Sequence, residues 1–215
     1  MVKAQIAEAK SLAVGSAAEI NLVAVSKQQP DEKITAALAT GHRLFGENRV
    51  QEAMERWRQH KITYPDLTLH LIGPLQSNKA ADAVRLFDVI ETIDREKIAK
   101  AVSQEMAKQE KQLGCFIQVN TGLEEQKSGI APQEAAEFVT YCQHDLKMTI
   151  RGLMCIPPQD EEPAMHFALL KKLARDNHLA HLSMGMSADF DQAIAFGADY
   201  VRVGSALFGQ RLPRP

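Results

Sequence analysis

Eight short apolar segments alternate with helix-period segments along almost the whole chain of 215 residues. Several of them, including 22–25 and 115–117, are continuously apolar, which is typical of parallel strands buried on both faces. This regular alternation predicts an α/β fold, a single (β/α)8 barrel of the TIM type, and the chain length fits one such barrel. The predicted strands are 21–25, 43–45, 68–72, 88–92, 115–120, 149–154, 182–184 and 200–203.

The segments between the predicted strands have the periodicity of helices. Apolar residues recur there at three- and four-residue spacing, and Pro30 and Pro132 stand at favoured first-turn positions. The predicted helices are 31–40, 48–58, 95–110, 132–143 and 161–176.

The N-terminal segment predicts one further helix. Residues 1–17 place Ile6, Ala9 and Ala13 on one face, as expected of an extra helix that covers the barrel. We therefore expect one domain over residues 1–215, with an N-terminal helical extension at 1–19 and a short tail at 210–215.

Composition and charge exclude several classes of protein. Hydrophobic residues make up 45% of the chain, charged residues 24%, and the net charge is −2. The sequence shows no basic stripe for nucleic acid and no run approaching the roughly 20 apolar residues of a membrane span. Lys3, Glu8 and Lys10 interrupt the N-terminus, so it does not resemble a secretory signal. The three cysteines show no pairing pattern, which indicates free thiols and a cytoplasmic protein.

Polar residues follow the predicted strands at the carboxyl-terminal ends, where barrels build their active sites. Lys27 follows the first strand. Desolvation at a barrel mouth lowers the pKa of an amine and makes it a nucleophile toward carbonyls, although a lysine at a strand end is more often a solvated charge.

Two phosphate-type turns follow the last two strands, at 183–187 and 201–205. Glycine lets the backbone approach a ligand, and Ser187 is predicted to cap a helix whose first N–H groups face an anion. A plain capped helix would have the same pattern, and Asp189 could compete with a phosphate. One amine beside two such turns nevertheless indicates an aldehyde that carries a phosphate, and this points to pyridoxal 5′-phosphate (PLP).

Other polar residues fit the same pocket less directly. Strand alternation places Arg202 and Gly204 on one side of the last strand, and an inward Arg202 would be a buried cation that needs a partner. Asn48 could form a polar wall of the pocket. His70 lies within an apolar strand, where a hydrogen-bonded buried histidine is the better interpretation. The histidines lack metal-ligand spacing, so we propose no metal.

Seven motifs, in order from about residue 20 to 209, resemble the YggS/PROSC family of PLP homeostasis proteins. They are AVSK (24–27), FGEN (45–48), HLIGPLQSNK (70–79), QVNTG (118–122), GLM (152–154), LSMGMS (182–187) and VRVGSALFG (201–209). Two departures are small. Gln28 and Gln29 stand where the family often has Thr-Lys, and Ser205 stands where threonine is common.

The resemblance implies a barrel similar to the N-terminal domain of alanine racemase, with PLP held as an internal aldimine on Lys27. It implies Arg202 near the pyridine nitrogen, Asn48 as a further contact beside the ring, and no metal. Phosphate contacts are implied for Ser187, Gly204 and Ser205, and the residues implied to line the phosphate cup are Met184, Gly185 and Met186.

An arginine beside the pyridine nitrogen disfavours its protonation and makes the ring a poorer electron sink. Racemisation also needs a second acid/base, supplied in alanine racemase by a tyrosine of a separate β domain. We expect that domain to be absent, and no tyrosine here is an obvious substitute: the candidates are Tyr64, Tyr141 and Tyr200. The leading hypothesis is a PLP-binding protein of PLP homeostasis, with little or no catalysis and hence no catalytic residue.

Three alternatives stay open. A PLP-dependent amino-acid racemase would need the missing second base. A Schiff-base aldolase acting on a phosphosugar would use the same lysine and phosphate cup, and a scaffolding protein with a vestigial pocket would retain no ligand. For the homeostasis protein, the expected partners are PLP, other B6 vitamers and apo-PLP enzymes as recipients. Nucleic acid and membrane are not expected partners, and the expected assembly is a monomer.

Overall fold

The computed structural model of the protein describes residues 1–13 and 19–209. Its strands are parallel and form a closed barrel in which each strand pairs with its neighbours in sequence and the last pairs with the first. The predicted α/β barrel is therefore confirmed. The strands are β1 (Asn21–Val25), β2 (Leu44–Glu47), β3 (Thr68–Leu71), β4 (Val89–Ile93), β5 (Gly114–Val119), β6 (Thr149–Cys155), β7 (His181–Ser183) and β8 (Tyr200–Val203).

Helices between the strands cover the outside of the barrel. Their apolar faces pack on the strands: Trp57 is fully buried against Phe45 of β2, with ring centroids 4.8 Å apart. Short 3-10 turns at Ser77–Lys79 and Pro132–Glu134 lead into two of the helices, and a π-helical turn spans Tyr141–Asp145. The α-helices of the described residues are α1 (Val2–Leu12), α2 (Asp31–Ala39), α3 (Val50–Thr63), α4 (Ala80–Leu86), α5 (Glu96–Lys108), α6 (Ala135–Thr140), α7 (Pro163–Asp176), α8 (Phe190–Ala195) and α9 (Ser205–Phe208).

The observed boundaries differ from the predicted ones by one or more residues at most elements, and two of the differences have a clear physical reason. β2 reaches Glu47, two residues beyond the predicted end, because Gly46 and Glu47 pair with β3. Glycine and glutamate are both depleted in strands, so local preference alone places the end of the strand too early. The predicted helix at 132–143 is instead a 3-10 turn, α6 and a π-helical turn in succession. Apolar residues recur at similar spacing in these three kinds of helix, so the sequence pattern does not distinguish them.

The barrel interior holds an apolar cluster and a polar cluster. Val89, Phe116 and Met154 form the apolar cluster, and Tyr200 packs against it. The polar cluster joins Glu91 of β4 to residues of β3, β7 and β8. Because β4 does not adjoin β7 or β8 in the barrel, these contacts run through its interior.

The N-terminal helix packs beside the barrel. α1 lies against α8 and buries Val2 and Ile6. Part of the predicted extension, residues 14–18, and the predicted tail at 210–215 lie outside the described residues. In the described ranges, no helix has both the length and the apolar character to cross a membrane.

Candidate functional site

Lys27 lies at the carboxyl-terminal end of β1, as the sequence predicts. Val25 ends the strand, and Lys27 follows in a turn with its side chain half-buried. The next residue, Gln28, has a φ angle of 59°. A left-handed backbone is uncommon for glutamine and marks a tight turn directly after Lys27.

A buried carboxylate holds the turn of Lys27 in place. Glu47 Oε1 accepts hydrogen bonds from the Ser26 hydroxyl at 2.7 Å and from Trp57 Nε1 at 3.0 Å. Arg56 donates to Glu47 Oε1 at 3.3 Å, to the Ser26 carbonyl at 3.3 Å and to the Gln29 carbonyl at 3.0 Å. The backbone on both sides of Lys27 is therefore fixed to α3, which carries Arg56 and Trp57.

Asn48 follows β2 beside Lys27 and has an unpaired polar atom. Its Oδ1 is buried and has no hydrogen-bond partner among the described residues. The Cα of Gly73 approaches Asn48 so closely that a Cβ there would lie 2.2 Å from the Asn48 carbonyl oxygen. Buried polar groups are nearly always hydrogen-bonded, so this amide oxygen is available to a polar ligand or to water.

The two predicted phosphate turns lie next to each other. Ser187 Oγ accepts hydrogen bonds from the backbone N–H groups of Gly204 and Ala206, at 3.3 and 3.5 Å. Gly204 also lies close to β1, because a Cβ added there would be 3.3 Å from the Val25 carbonyl oxygen. Lys27 and both turns therefore lie at one edge of the barrel, at the ends of β1, β7 and β8.

The prediction that Ser187 caps a helix is wrong. The next helix, α8, begins three residues later at Phe190, with Asp189 at the cap position. Ser187 instead bonds the neighbouring turn, while Asp189 Oδ1 accepts the Met186 N–H at 2.6 Å. The Asp189 carboxylate therefore closes its own turn and occupies one N–H group that a phosphate could otherwise use.

The remaining residues of the cup have different environments. Gly185 has a φ of +88°, and a Cβ there would lie 2.5 Å from Ala193 Cβ, so only glycine fits. Met184 is fully buried in the main hydrophobic core, whereas the Met186 side chain is exposed. Ser205 is exposed at the start of α9, and the end of this helix is bound to α2 through Lys33 Nζ and the Phe208 carbonyl.

Arg202 lies inside the barrel, one layer below the mouth, level with Val23 of β1. Its side chain is 4% exposed. One guanidinium nitrogen donates to Ser183 Oγ at 2.7 Å, and the other donates to the Cys155 carbonyl at 2.8 Å. The sequence correctly indicates that this cation needs partners.

Glu91 is a residue of the site that sequence reasoning missed. It is fully buried and accepts hydrogen bonds from Ser183 Oγ at 2.5 Å and from His70 Nδ1 at 2.6 Å. Burial by itself raises the pKa of Glu91, but the hydrogen bond and charge of His70, with the nearby Arg202, lower it below the ordinary value of 4.5. Glu91 is therefore an ionised partner of two basic groups, and His70 is the satisfied buried histidine that we expected.

The donor set fits PLP. An amine at Lys27 can react with an aldehyde, and the unpaired Asn48 Oδ1 lies on the next strand end. The turns at 185–187 and 204–206 bring backbone N–H groups and two serine hydroxyls together, and such groups suit a phosphate. In this structure the N–H groups of Gly204 and Ala206 donate to Ser187 Oγ, so a phosphate there would replace these two long hydrogen bonds. In the described parts of the chain, no group of three or more potential ligands could hold a metal ion.

Two large cavities lie elsewhere on the surface. One, of about 810 Å³, runs beside α5 and α6, and its lining includes Asp94 and Tyr141. The other, of about 670 Å³, opens at the amino-terminal ends of the strands near Asn21 and Tyr200. None of the residues predicted to bind the cofactor lines either cavity.

Comparison with known proteins identifies the family. The family described as alanine racemase, N-terminal domain, matches residues 2–212. A pyridoxal phosphate homeostasis protein of Vibrio cholerae is 40% identical, over 98% of this chain and 93% of that protein. The protein of the same name from Escherichia coli K12 is 37% identical, over 98% of this chain and 94% of its own length.

Solved structures agree with the sequence comparison. PipY of Synechococcus elongatus, solved without PLP, is 35% identical with a TM-score of 0.85, covering 97% of this chain and 100% of that one. The PLP-bound form of PipY gives a TM-score of 0.82 at the same identity and coverage. Alanine racemase of Clostridium difficile, 15% identical with a TM-score of 0.73 over 98% of this chain and 56% of its own, shares the fold. The chain therefore belongs to the family of pyridoxal phosphate homeostasis proteins, which is built on the alanine racemase N-terminal domain.

Proposed function

We propose that this protein binds PLP reversibly at the carboxyl-terminal mouth of its barrel and acts in PLP homeostasis by holding and supplying the cofactor. One observation carries the proposal: Lys27 lies between the unpaired Asn48 Oδ1 on one side and the paired turns of Ser187 and Gly204 on the other. PipY, similar over nearly the whole chain, has been solved with PLP bound.

Each part of the mouth has a separate task in this proposal. Lys27 would hold the cofactor aldehyde through its amine, Asn48 would contact the ring side, and Arg202 would lie at the ring nitrogen. Ser187, Gly204 and Ser205 hold the phosphate, together with the backbone at 184–186. When bound, PLP supplies an electron sink, but an arginine at the ring nitrogen weakens that sink because the guanidinium is always charged and accepts no proton.

The placement of the tyrosines supports the proposal that the protein has little or no catalytic activity. Tyr200 begins β8 and packs edge-on against Phe116 at a centroid distance of 5.5 Å, below the layer of Arg202. Tyr64 follows the last residue of α3, and Tyr141 lies on the π-helical turn outside the barrel. Because all three are away from the mouth, none is placed as a second acid/base for racemisation.

The proposed supply of the cofactor implies which molecules the protein interacts with. We propose that apo-PLP enzymes receive PLP from this protein, that other B6 vitamers compete for the same mouth, and that the protein works as a monomer in the cytoplasm. In this proposal, residues 1–215 act as one domain. A cofactor held at the mouth of the barrel remains within reach of a recipient.

Absorbance spectroscopy tests the proposal. The purified protein should be yellow, bleach with borohydride, and then carry a reduced pyridoxyl group on the peptide of Lys27. A colourless protein that takes up no added PLP would contradict it and favour the aldolase or scaffold hypotheses. Transfer is measured as recovery of activity of an apo-aminotransferase mixed with the loaded protein, with alkaline phosphatase present to remove free PLP.

Racemase activity has its own test. Incubation of the loaded protein with L-alanine or L-serine, followed by chiral chromatography, should show no D-enantiomer above the level given by free PLP. Accumulation of D-alanine that is lost in Lys27→Ala would favour the racemase alternative.

A further inference from the structure

A buried polar chain crosses the barrel interior from β3 to β8. His70 Nδ1 donates to Glu91 Oε1 at 2.6 Å, and Ser183 Oγ donates to Glu91 Oε2 at 2.5 Å. Arg202 in turn donates to Ser183 Oγ at 2.7 Å, and its Nη1 lies 3.9 Å from Glu91 Oε2. All four side chains are at most 4% exposed, so the protein itself must satisfy their charges.

The geometry of this chain fixes the plane of the Arg202 guanidinium. Nη1 is held by Ser183 of β7 and Nη2 by the Cys155 carbonyl of β6. Because the planar guanidinium is held by hydrogen bonds to two strands, it has little freedom to rotate. Ser183 keeps its place because its own proton is donated to Glu91.

Glu91 also offsets the charge of Arg202. A buried cation without a counter-charge is strongly destabilising, and Glu91 is the carboxylate within 4 Å of the guanidinium. Both carboxylate oxygens have hydrogen-bond partners, which is the condition under which a buried ion pair is tolerated. Glu47, the other fully buried glutamate among the described residues, differs because its Oε2 has no hydrogen-bond partner there.

We propose that Glu91, acting through Ser183, is a positioning residue that holds Arg202 in its orientation toward the cofactor ring and sets how strongly its charge acts there. The proposal rests on the proposed function, since it requires PLP at the barrel mouth. It also explains how the cofactor can leave. The partners of Arg202 all belong to the protein, so release of PLP leaves no unpaired cation in the barrel.

The test compares two variants with one matched control. Glu91→Gln removes the charge but keeps the shape, and Ser183→Ala removes the bridge but keeps Glu91. The control is Asp199→Asn. Asp199 is also a buried carboxylate that is hydrogen-bonded to a histidine, His181, but it lies directly before the amino-terminal end of β8. Each protein is titrated with PLP, and the absorbance maximum, its pH dependence and the dissociation constant are recorded.

We expect Glu91→Gln and Ser183→Ala to shift the absorbance band of bound PLP and to weaken binding about tenfold, or about 1.4 kcal/mol. Asp199→Asn should leave the band and the dissociation constant unchanged even if it lowers the melting temperature. Wild-type spectra and affinity in both barrel variants would overturn the proposal. So would equal spectral shifts in all three variants, which would indicate a general structural effect.

The failure of this inference is distinguishable from failure of the proposed function. If wild-type protein binds PLP on Lys27 and the two variants match it, only the positioning role of Glu91 is wrong. If the wild type binds no PLP, both proposals fall. Should Glu91→Gln not fold, Ser183→Ala, which removes one hydroxyl, still decides the question. In the apo-protein, broadening of the Arg202 side-chain ¹⁵N signals in Ser183→Ala is expected, and unchanged signals would count against the proposal.

Discussion

The hydroxyl of Ser26 donates a hydrogen bond of 2.7 Å to Glu47 Oε1 and ties the end of β1 to the end of β2 directly beside Lys27. Both residues are fully buried, so water cannot replace this bond. The same carboxylate oxygen accepts from α3, so the turn of Lys27 is anchored to two strands and a helix. The backbone that carries Lys27 is therefore held in place by the fold before any ligand arrives.

Ser26→Ala should loosen this anchor. We expect a loss of about 1–3 kcal/mol in the free energy of unfolding of the apo-protein, because a buried carboxylate loses a hydrogen bond. PLP binding should weaken at the same time, by about tenfold for each 1.4 kcal/mol of lost binding energy. Urea denaturation and PLP titration measure the two effects.

Ser103→Ala is the matched control for Ser26→Ala. Ser103 lies on α5 and donates to the Leu146 carbonyl at 2.8 Å, away from the mouth. Its loss should affect stability but not PLP affinity. An equal loss of PLP affinity in both variants would show that Ser26 has no particular role in placing Lys27.

Lys27→Ala should abolish the covalent link to PLP. Borohydride treatment should then leave no pyridoxyl group on the protein, and the absorbance of any bound PLP should resemble that of the free aldehyde. The control is Lys100→Ala, on the exposed side of α5. If Lys27→Ala retained PLP with an unchanged spectrum and a reducible adduct, the assignment of Lys27 would be wrong.

Gly185→Ala should damage the phosphate cup through two separate effects. A left-handed φ costs a residue with a side chain about 1–2 kcal/mol, and overpacking costs about 1–3 kcal/mol more. The added Cβ would lie 2.5 Å from Ala193 Cβ and 2.9 Å from Phe190 Cα. We therefore expect a loss of about 2–5 kcal/mol in the free energy of unfolding, measured by urea denaturation.

Gly41→Ala separates the two effects. Gly41 has a similar φ of +84° but has no other atom within 4 Å of the position of an added Cβ. Only the backbone cost of about 1–2 kcal/mol applies there. If Gly185→Ala were no more destabilising than Gly41→Ala, the close packing of Gly185 against α8 would be contradicted.

Much of this site could be predicted from the sequence because strand ends and glycine turns leave local signals. Lys27, Gly185 and Arg202 each follow or interrupt an apolar strand, and a parallel barrel brings such positions to one end. The role of Glu91 could not be predicted in this way. Its partners lie on β3, β7 and β8, and only closure of the barrel brings them together.

Ser187 is a residue for which the local sequence predicts the wrong hydrogen-bond partner. Its sequence context is that of a helix cap, yet the hydroxyl bonds the turn after β8, 17 residues further along the chain. A long-range partner outweighed the local preference, and Asp189 took the capping position. The end of β2 was likewise misjudged, because the pairing of Gly46 and Glu47 with β3 depends on tertiary contacts.

The three cysteines should not react in the folded protein. Burial raises the pKa of Cys115, Cys142 and Cys155 to about 12. At pH 8 only about one thiol in ten thousand would then be a thiolate, which is the reactive form. Titration with a chromogenic disulfide should find almost no thiol in the native protein and three in guanidinium chloride, whereas rapid reaction of a native thiol would contradict the burial.

The ion pair of Glu91 should give stability a characteristic dependence on pH. Its pKa is lowered in the folded protein, so its contribution is complete above the ordinary value of 4.5 and is lost as the pH falls through the lower folded value. The free energy of unfolding of Glu91→Gln should therefore be lower than that of the wild type at pH 7. The difference in the free energy of unfolding between the wild type and Glu91→Gln should become smaller below about pH 4, because protonation of Glu91 removes the same charge from the wild type.

Asp199→Asn should show the opposite trend. Burial raises the pKa of Asp199 despite its hydrogen bond from His181, so the ionised carboxylate is disfavoured by folding and this cost is relieved as the pH falls. The wild type should thus gain stability relative to Asp199→Asn in acid. Urea denaturation of the three apo-proteins between pH 3.5 and 7 measures both trends. A constant gap between wild type and Glu91→Gln across that range would mean that Glu91 carries no charge in the folded barrel, and its pairing with Arg202 would then be wrong.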